Sequence, residues 1–271
     1  MILSTTIDIH SVFKSVLYPA GINIQWVTML EMTRSVFIDR RFHGPPNSGN
    51  GGYSCAMIGK LIDGPAAVRL RIPPPLDAAM ELRQSDGLVE LFCGDELVAS
   101  GHATNVDIDI PTPPDFSGAQ AASARYRGFV SHFYPGCFVC GPEREHGDGL
   151  RVFAGPLEEG TGPEGMVAAA WIPDATLVDS SGFVAPEFIW AALDCPGAYA
   201  FPEPVNGALL LGELAVSISG SVKAGEKCVL TGWEINRQGR KHYTGTALFG
   251  ETGSCRAVAY ATWFEVPLQT N

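Results

Sequence analysis

One carboxylic acid stands inside an otherwise apolar stretch of the second half of the sequence. Asp194 follows Trp190 and Leu193 and precedes Cys195 in the segment VAPEFIWAALDCPGAYA. Burial among such side chains disfavours a charged carboxylate and raises its pKa, which is how a general base is tuned. The alternative is a structural Asp that bonds backbone groups left unpaired by Pro196. Asp194 is therefore a candidate catalytic residue.

A second candidate is the run Asn50, Gly51 and Gly52, which opens an apolar segment with helical spacing. The first N–H groups of a helix have no partner within the helix, and glycines let a reacting group approach them closely. Such amides are suited to stabilising negative charge that develops on a carbonyl oxygen. A plain Gly- and Asn-rich turn is the alternative.

The cysteines indicate a reducing compartment and do not complete a metal-binding motif. Cys137 and Cys140 form a C-x-x-C motif with His132 and His146 nearby, which is part of the pattern of a zinc site. Because no second C-x-x-C completes it, the sequence predicts no metal and no cofactor. Seven scattered cysteines in a chain of this size indicate a reducing cytoplasm. The N-terminus shows no signal-peptide pattern.

Composition excludes several classes of function. The 271 residues carry 18 basic and 29 acidic side chains, a net charge of -11, which argues against a nucleic-acid partner. With 46% apolar and 17% charged residues, the chain predicts a globular protein with a sizeable core. No apolar run approaches the roughly 20 residues that a membrane span needs. The G-x-S-x-G elbow of many serine hydrolases is also missing.

The elements that would position these residues follow one plan twice. The segment GGYSCAMIGKLI predicts a helix, and VAPEFIWAALDCPGAYA predicts a second one that is buried on every side, begins at Pro186 and is interrupted at Pro196. Each helix precedes four predicted strands with turn residues between them. The fold class is therefore α+β, with a buried helix wrapped by antiparallel sheet in each half.

The domain boundaries follow from a loop with three prolines and many small residues, IPTPPDFSGAQAAS, which breaks all periodicity. We predict an N-terminal extension over residues 1–31, a first unit over 32–110, a linker over 111–125 and a second unit over 126–271. The repeated order of elements indicates an internal duplication.

Two strings carry a resemblance to known families. NSGNGGYSCAMIGKLI followed by VRLRIPPPL resembles the first half of double-hotdog acyl-CoA thioesterases of the bacterial thioesterase II type. CFVCGPEREHGDGL followed by a helix ending ALDCPGAYA resembles single-hotdog thioesterases of the phenylacetyl-CoA type. The resemblance covers about residues 35–266. It implies a double hotdog, with two long central helices wrapped by one continuous curved antiparallel sheet, and it aligns Asp194 with the catalytic carboxylate.

The halves differ in what they retain of the family's site. In single-hotdog thioesterases a His-Gly-Gly turn begins the helix, the acid lies nine residues beyond the His, and turn and acid come from different subunits. Here the first half has Asn50 at the His position and Gly59 at the acid position. The second half keeps Asp194 but has Ala185, Pro186 and Glu187 in place of the turn. The resemblance thus implies one complete site shared between the halves, and it leaves open an oligomer of double-hotdog units.

Thioesterase II enzymes also pair the second-half Asp with polar residues that hold the attacking water. The alignment places Glu213 and Thr262 at those positions, a carboxylate where a hydroxyl is expected and a hydroxyl where an amide is expected. The alternative is that both are strand residues facing solvent.

The resemblance implies an acyl-CoA partner, with its phosphates met by local cations because the chain is acidic. The candidate substrate-binding residues are Asn50, Tyr53, Trp190, Arg69, Arg71 and Arg240, with Lys241 beside the last.

Two hypotheses remain for the function. The first is an acyl-CoA hydrolase with Asp194 as general base or nucleophile and the Gly51 and Gly52 amides as oxyanion donors. The second is a catalytically silent acyl or acyl-CoA binding protein of the same fold. The sequence does not distinguish short, long and aromatic acyl chains.

Overall fold

The computed structural model describes residues 34–201 and 207–267, so the predicted N-terminal extension lies outside the described residues. Four α-helices form within these ranges: α1 (Gly51–Gly59), α2 (Phe116–Ala124), α3 (Pro186–Ala192) and α4 (Cys195–Tyr199). No helix in the described ranges combines the length and the apolar character that crossing a membrane requires.

Eleven strands pair into one antiparallel sheet. They are β1 (Arg34–Phe37), β2 (Ala66–Leu70), β3 (Ala79–Ser85), β4 (Leu88–Cys93), β5 (Glu96–Ala103), β6 (Gly155–Pro156), β7 (Val167–Trp171), β8 (Gly207–Ile218), β9 (Cys228–Gln238), β10 (Lys241–Phe249) and β11 (Cys255–Pro267). Their order in the sheet is β1-β3-β4-β5-β2-β8-β11-β10-β9-β7-β6.

The two halves share this sheet through the pairing of β2 with β8, in which Val68 lies opposite Leu214. Counted outward from that junction, the first half runs β2-β5-β4-β3-β1 and the second runs β8-β11-β10-β9-β7, so both halves have the same strand order. The prediction of one continuous antiparallel sheet across both halves is confirmed.

The prediction of two long central helices is wrong. α1 has nine residues and α3 has seven, and the interruption predicted at Pro196 divides the second segment between α3 and α4. The division falls at Leu193 and Asp194, because Pro196 has no N–H to continue the hydrogen bonds of α3. Pro186 begins α3, as expected for a proline at a first helical position.

The two central helices run antiparallel against each other. The start of α1 meets the end of α3, since a Cβ on Gly52 would lie 3.0 Å from Cα of Ala191. The end of α1 meets the start of α3, where Lys60 Nζ lies 3.5 Å from Glu187 Oε1. Every residue of α1 after Gly51 is buried. Burying apolar side chains stabilises the folded state by about 25 cal/mol per Å² of surface removed from water. This stabilisation holds the N-terminus of α1 in place.

The segment predicted as a linker contains α2. Asp115 caps this helix by accepting a hydrogen bond from the Gly118 N–H at 2.7 Å, and Ala119 and Ala122 are fully buried. The Ser123 hydroxyl accepts a hydrogen bond from the Ala170 N–H of β7 at 3.1 Å, which ties the helix to the sheet of the second half. The small residues of this segment suggested a loop, but in the structure they allow α2 to pack closely against β7. The unit boundaries themselves stay a prediction.

Candidate active site

Asp194 lies in the break between α3 and α4, and its side chain points to the other half of the protein. The residue is 3% exposed. Its backbone accepts a hydrogen bond from the Gly197 N–H at 3.1 Å, but its side chain caps nothing in α4. The alternative of a carboxylate that serves the backbone around Pro196 is therefore not what the structure shows.

Two donors from the start of α1 hold one oxygen of this carboxylate. Asp194 Oδ2 accepts hydrogen bonds from Asn50 Nδ2 at 2.8 Å and from the Gly52 N–H at 2.9 Å. Asn50 also caps α1, because its Oδ1 accepts a hydrogen bond from the Tyr53 N–H at 2.9 Å. The structure thus brings Asn50, Gly52 and Asp194 together, across a separation of more than 140 residues in sequence.

The second oxygen, Asp194 Oδ1, is buried and has no hydrogen-bond partner within the described part of the chain. Burial raises the pKa of Asp194 to about 7, against the lowering effect of the Gly52 and Asn50 hydrogen bonds, and the nearby Cys137 raises it further. The helix N-terminus and the amide of Asn50 favour the charged form, whereas the surrounding apolar residues oppose it. One carboxylate oxygen is therefore fixed while the other keeps its capacity to accept a proton.

The two glycines take different roles. The Gly52 N–H, which we expected to meet an oxyanion, donates to Asp194 instead. The Gly51 N–H has no hydrogen-bond partner among the described residues, and Gly51 is only half-buried. A Cβ on Gly51 would lie 3.4 Å from Asp194 Oδ2 and 2.7 Å from Leu211 Cδ2, so this glycine borders both the carboxylate and the half-buried Leu211.

Gly52 is in close contact with the backbone of α3. A Cβ at this position would lie 2.6 Å from the carbonyl oxygen of Trp190 and 2.7 Å from Cβ of Asp194. Real Cβ atoms do not approach so closely, so a side chain here would push α1 away from α3. Gly52 is thus needed for the contact that lets its N–H reach Asp194.

Tyr53 and Trp190, both predicted to touch substrate, are core residues in this structure. The Tyr53 ring stacks on Phe42 with 4.2 Å between the centroids, and Phe138 and Phe188 lie at about 6 Å from it. Burial and the negative charge of Glu187 raise the pKa of Tyr53 above its usual range. Trp190 is 3% exposed.

The ring of Trp190 fills the place of an acid at the pseudo-symmetric position. A Cβ on Gly59 would lie only 2.6 Å from Trp190 Cη2. At the start of α3, Pro186 has no N–H to donate, and Glu187 places a carboxylate there that pairs with Lys60. The described residues therefore bring an acid and a glycine turn together at Asp194 and not at Gly59.

Glu213 and Thr262 lie opposite each other on β8 and β11, but the structure does not bring them to Asp194. Ala261 and Trp263 of β11 are buried in the core, so Thr262 between them faces away from the helices. Glu213 forms an ion pair with Arg69 of β2 at 2.6 Å, with side chains 26% and 55% exposed. The solvent-facing alternative for both residues agrees with this placement.

The cations proposed for the phosphates of a ligand are at the surface. Arg71 and Arg240 are exposed, and Lys241 lies over the ring of Phe264 at 5.8 Å from its centroid. Arg69 is partly neutralised by Glu213. The structure places none of the four within a hydrogen bond of Asn50 or Asp194 in the described ranges.

Sequence reasoning missed two neighbours of the carboxylate. Cys137 Sγ lies 4.0 Å from Asn50 Nδ2, and Leu211 faces Gly51. The position of Leu211 could not be derived, because it depends on the register of β8. Cys137 had a signal, since its C-x-x-C motif and the Cys195 beside Asp194 are both visible in the sequence.

Two clefts lie elsewhere on the described surface. One of about 550 Å³ is lined by residues including Asp107, Trp233 and Glu234, and one of about 250 Å³ by residues including Asp115 and Arg125. Neither is lined by Asn50, Gly52 or Asp194. Beside Asp194, Gly51 and its neighbour Leu211 are half-buried.

The comparisons with known proteins identify the fold. No protein-family model and no curated protein matches the sequence. A candidate thioesterase from Novosphingobium aromaticivorans is 11% identical, with a TM-score of 0.56 over 86% of this chain and 95% of that one. The TesB protein of Mycobacterium avium subspecies paratuberculosis is 13% identical, with a TM-score of 0.51 over 81% and 88%. The chain therefore has the hotdog fold of these thioesterase structures.

Proposed function

We propose that the protein hydrolyses acyl-CoA thioesters at one site, formed by Asn50, Gly51 and Gly52 of the first half and Asp194 of the second. The observation that carries this proposal is the hydrogen bond from the Gly52 N–H to Asp194 Oδ2 at 2.9 Å. It joins the helix N-terminus of one half to a buried carboxylate of the other half. The fold shared with TesB and with the candidate thioesterase supports the same activity.

In the proposed reaction, Asp194 Oδ1 accepts a proton from a water molecule whose oxygen attacks the thioester carbonyl carbon. The C–S bond then breaks, the acyl group leaves as the carboxylic acid, and the proton passes to the thiolate of coenzyme A. Asn50 and Gly52 hold the other oxygen of Asp194 and so fix the direction of the carboxylate. Direct attack by Asp194 as a nucleophile uses the same geometry.

The oxyanion donor in this proposal is the Gly51 N–H at the start of α1. It lies next to the fixed carboxylate, its residue is half-buried, and the positive end of the α1 dipole favours negative charge there. The pseudo-symmetric position is proposed to be inactive, because the Trp190 ring fills it and Glu187 places a negative charge at its turn.

The silent binding protein stays as a second candidate, favoured by one specific observation. Glu213 and Thr262, the residues aligned with those that hold water in thioesterase II enzymes, lie on the face of the sheet away from the helices. If nothing replaces them, the fold could hold an acyl-CoA without activating water.

A panel of acyl-CoAs with short, long and aromatic chains separates the two candidates. The full chain is incubated with each one and a thiol reagent, and binding is measured in parallel by calorimetry. We expect thiol release that is proportional to enzyme and that saturates with substrate. Saturable binding without thiol release would favour the silent binding protein, and no binding by any member of the panel would contradict both.

Affinity for acyl-CoA should fall as the ionic strength rises, because a chain at -11 must hold several phosphate charges with a few exposed cations such as Arg71 and Arg240. We expect a loss of about several-fold between low and physiological salt, where the Debye length falls to about 8 Å. Calorimetric titration at four salt concentrations measures it.

The matched control is the pantetheine thioester of the same acyl chain, which lacks the nucleotide phosphates. Its affinity should change little with salt. An acyl-CoA affinity that is equally indifferent would point to an uncharged acyl ligand and would contradict a role for these cations.

The setting of the reaction is part of the proposal. Seven free cysteines suit a reducing compartment such as the cytoplasm. Association of double-hotdog units into an oligomer stays a prediction, and the site as proposed is complete within one chain.

A further inference from the structure

Three cysteine side chains meet beside the proposed site, from two segments far apart in sequence. Cys137 and Cys140 precede β6, and Cys195 begins α4. All three are buried free thiols, and their sulfur atoms lie within 4.8 Å of one another. The sulfurs of Cys137 and Cys195 are 3.9 Å apart.

The distance between Cys137 and Cys195 fits two ligands of one tetrahedral metal ion. Zinc binds cysteine sulfur at about 2.3 Å, so two thiolates of one tetrahedral zinc lie about 3.8 Å apart. The separation of 3.9 Å between Cys137 and Cys195 agrees with that value. A disulfide, with its bond of about 2.05 Å, would use two of the three sulfurs and leave the third without a role.

The backbone around Cys137 is arranged to stabilise a thiolate. The backbone N–H groups of Val139 and Cys140 point at its sulfur and donate hydrogen bonds to it. The chain turns tightly here, with the Gly141 N–H bonded to the Cys137 carbonyl at 2.9 Å. A Cβ on Gly141 would lie 2.5 Å from that carbonyl oxygen, so the turn after the second cysteine requires glycine.

His132 supports the cluster from outside. Its Nδ1 accepts a hydrogen bond from the Tyr134 N–H at 2.9 Å, so the ring proton of the neutral imidazole is on Nε2. Nε2 lies 3.4 Å from Cys140 Sγ and donates to it. Because a nitrogen that carries a proton cannot bind a metal, His132 orients a ligand and is not one. His146 is exposed.

We propose that Cys137, Cys140 and Cys195 bind one Zn²⁺ ion through their sulfur atoms. Each sulfur binds as a thiolate, so the thiol protons leave to solvent as the ion binds, and a water molecule fills the fourth position. Three soft sulfur ligands select zinc over Mg²⁺ or Ca²⁺. The ion would tie the segment around Cys137 to the start of α4, next to Asp194. This inference differs from the expectation of no metal, because the third ligand is 55 residues beyond the motif.

The test is elemental analysis of the full chain, expressed with zinc in the medium and dialysed against a weak chelator. We expect about one zinc per chain in the wild type. In Cys195→Ser the zinc content should fall by roughly tenfold or more, since even changes to residues that only hydrogen-bond the ligands lower metal affinity by about 10- to 100-fold. Cys228→Ser is the matched control, because Cys228 is also a fully buried free thiol but lies outside the cluster. It should keep its zinc.

A second measurement on the wild type does not depend on any variant folding. The chelated protein is titrated with Co²⁺, and one equivalent should give the absorption of a tetrahedral cobalt thiolate. Absence of both zinc and the cobalt signal, with the three thiols reactive after denaturation, would overturn the proposal. So would a Cys137–Cys195 disulfide found by mass spectrometry in protein purified without reductant. Metal content is measured without any acyl-CoA, so these outcomes are independent of the proposed hydrolysis.

Discussion

Replacing Asp194 by Asn is expected to lower kcat for acyl-CoA hydrolysis by about 10²- to 10⁴-fold, and by more if the carboxylate is the nucleophile. That loss corresponds to roughly 3–5 kcal/mol of the activation barrier. The amide oxygen can still accept the hydrogen bonds that now reach Oδ2 from Asn50 and Gly52. Since a neutral amide is cheaper to bury than a carboxylate, the melting temperature and the affinity for acyl-CoA should be retained.

Glu187→Ala is the matched control for this variant. Glu187 belongs to the pseudo-symmetric position and pairs with Lys60 at 3.5 Å, with its side chain 22% exposed. Removing it should change the rate little. If Glu187→Ala silences the protein while Asp194→Asn remains active, the working site is at the other position and the assignment of the halves is reversed. Steady-state rates, measured beside calorimetric binding for both variants, decide between these outcomes.

Much of the fold could be predicted because its signals are local. The apolar spacing of α1, the Pro at the start of α3 and the alternation of the strands are all properties of short windows. The interruption of the second helix at Pro196 is also a local signal, but the last residue of α3 is not. The apolar residues of this segment continue through Asp194 and Cys195, and only the missing N–H of Pro196 divides it.

In the candidate site, the residues could be predicted from local signals, but the contacts between them could not. Asp194 was found because a carboxylate among apolar residues is unusual in a short window, and the Asn50 to Gly52 turn because glycines precede a helix. Their meeting was inferred from a resemblance and is supported by two hydrogen bonds. The hydrogen bond from the Gly52 N–H to Asp194 was not foreseen, because it depends on the closeness of two backbones.

Which side chains of β8 and β11 face the helices depends on the register of their pairing. The pairing shifts between Thr262 and Trp263, where Gly212 is an extra residue on β8. Leu211 therefore faces the helices before the bulge and Leu214 faces the core after it, and Glu213 turns outward with Arg69. A one-residue change of register moves a side chain to the other face, so no alignment by sequence alone could settle Glu213.

Replacing Gly52 by Val is expected to lower kcat by about 10²-fold, the scale of a misplacement of about 1 Å at a catalytic group, because the hydrogen bond that directs the Asp194 carboxylate is lost. The reason lies in backbone contact. A Cβ here would lie 2.6 Å from the Trp190 carbonyl oxygen and 2.7 Å from Cβ of Asp194, so α1 and α3 must separate. The Gly52 N–H then loses Asp194. Overpacking of this kind typically costs about 1–3 kcal/mol of the free energy of unfolding, measurable by urea denaturation beside the rate.

Gly51→Ala separates this effect from a general intolerance of side chains at the start of α1. Its Cβ would meet Leu211 Cδ2 at 2.7 Å and Leu211 Cβ at 3.0 Å, so Leu211 must shift, but no backbone atom of α3 is in the way and the Gly51 N–H is retained. We therefore expect Gly51→Ala to retain more of the stability and more of the rate than Gly52→Val, because its clash is with one side chain and not with the backbone of α3. A Gly52→Val protein with wild-type rate and stability would show that the contact between α1 and Asp194 is not needed for turnover. A Gly51→Ala protein as impaired as Gly52→Val would show that the space beside Leu211, and not the hold on Asp194, limits the reaction.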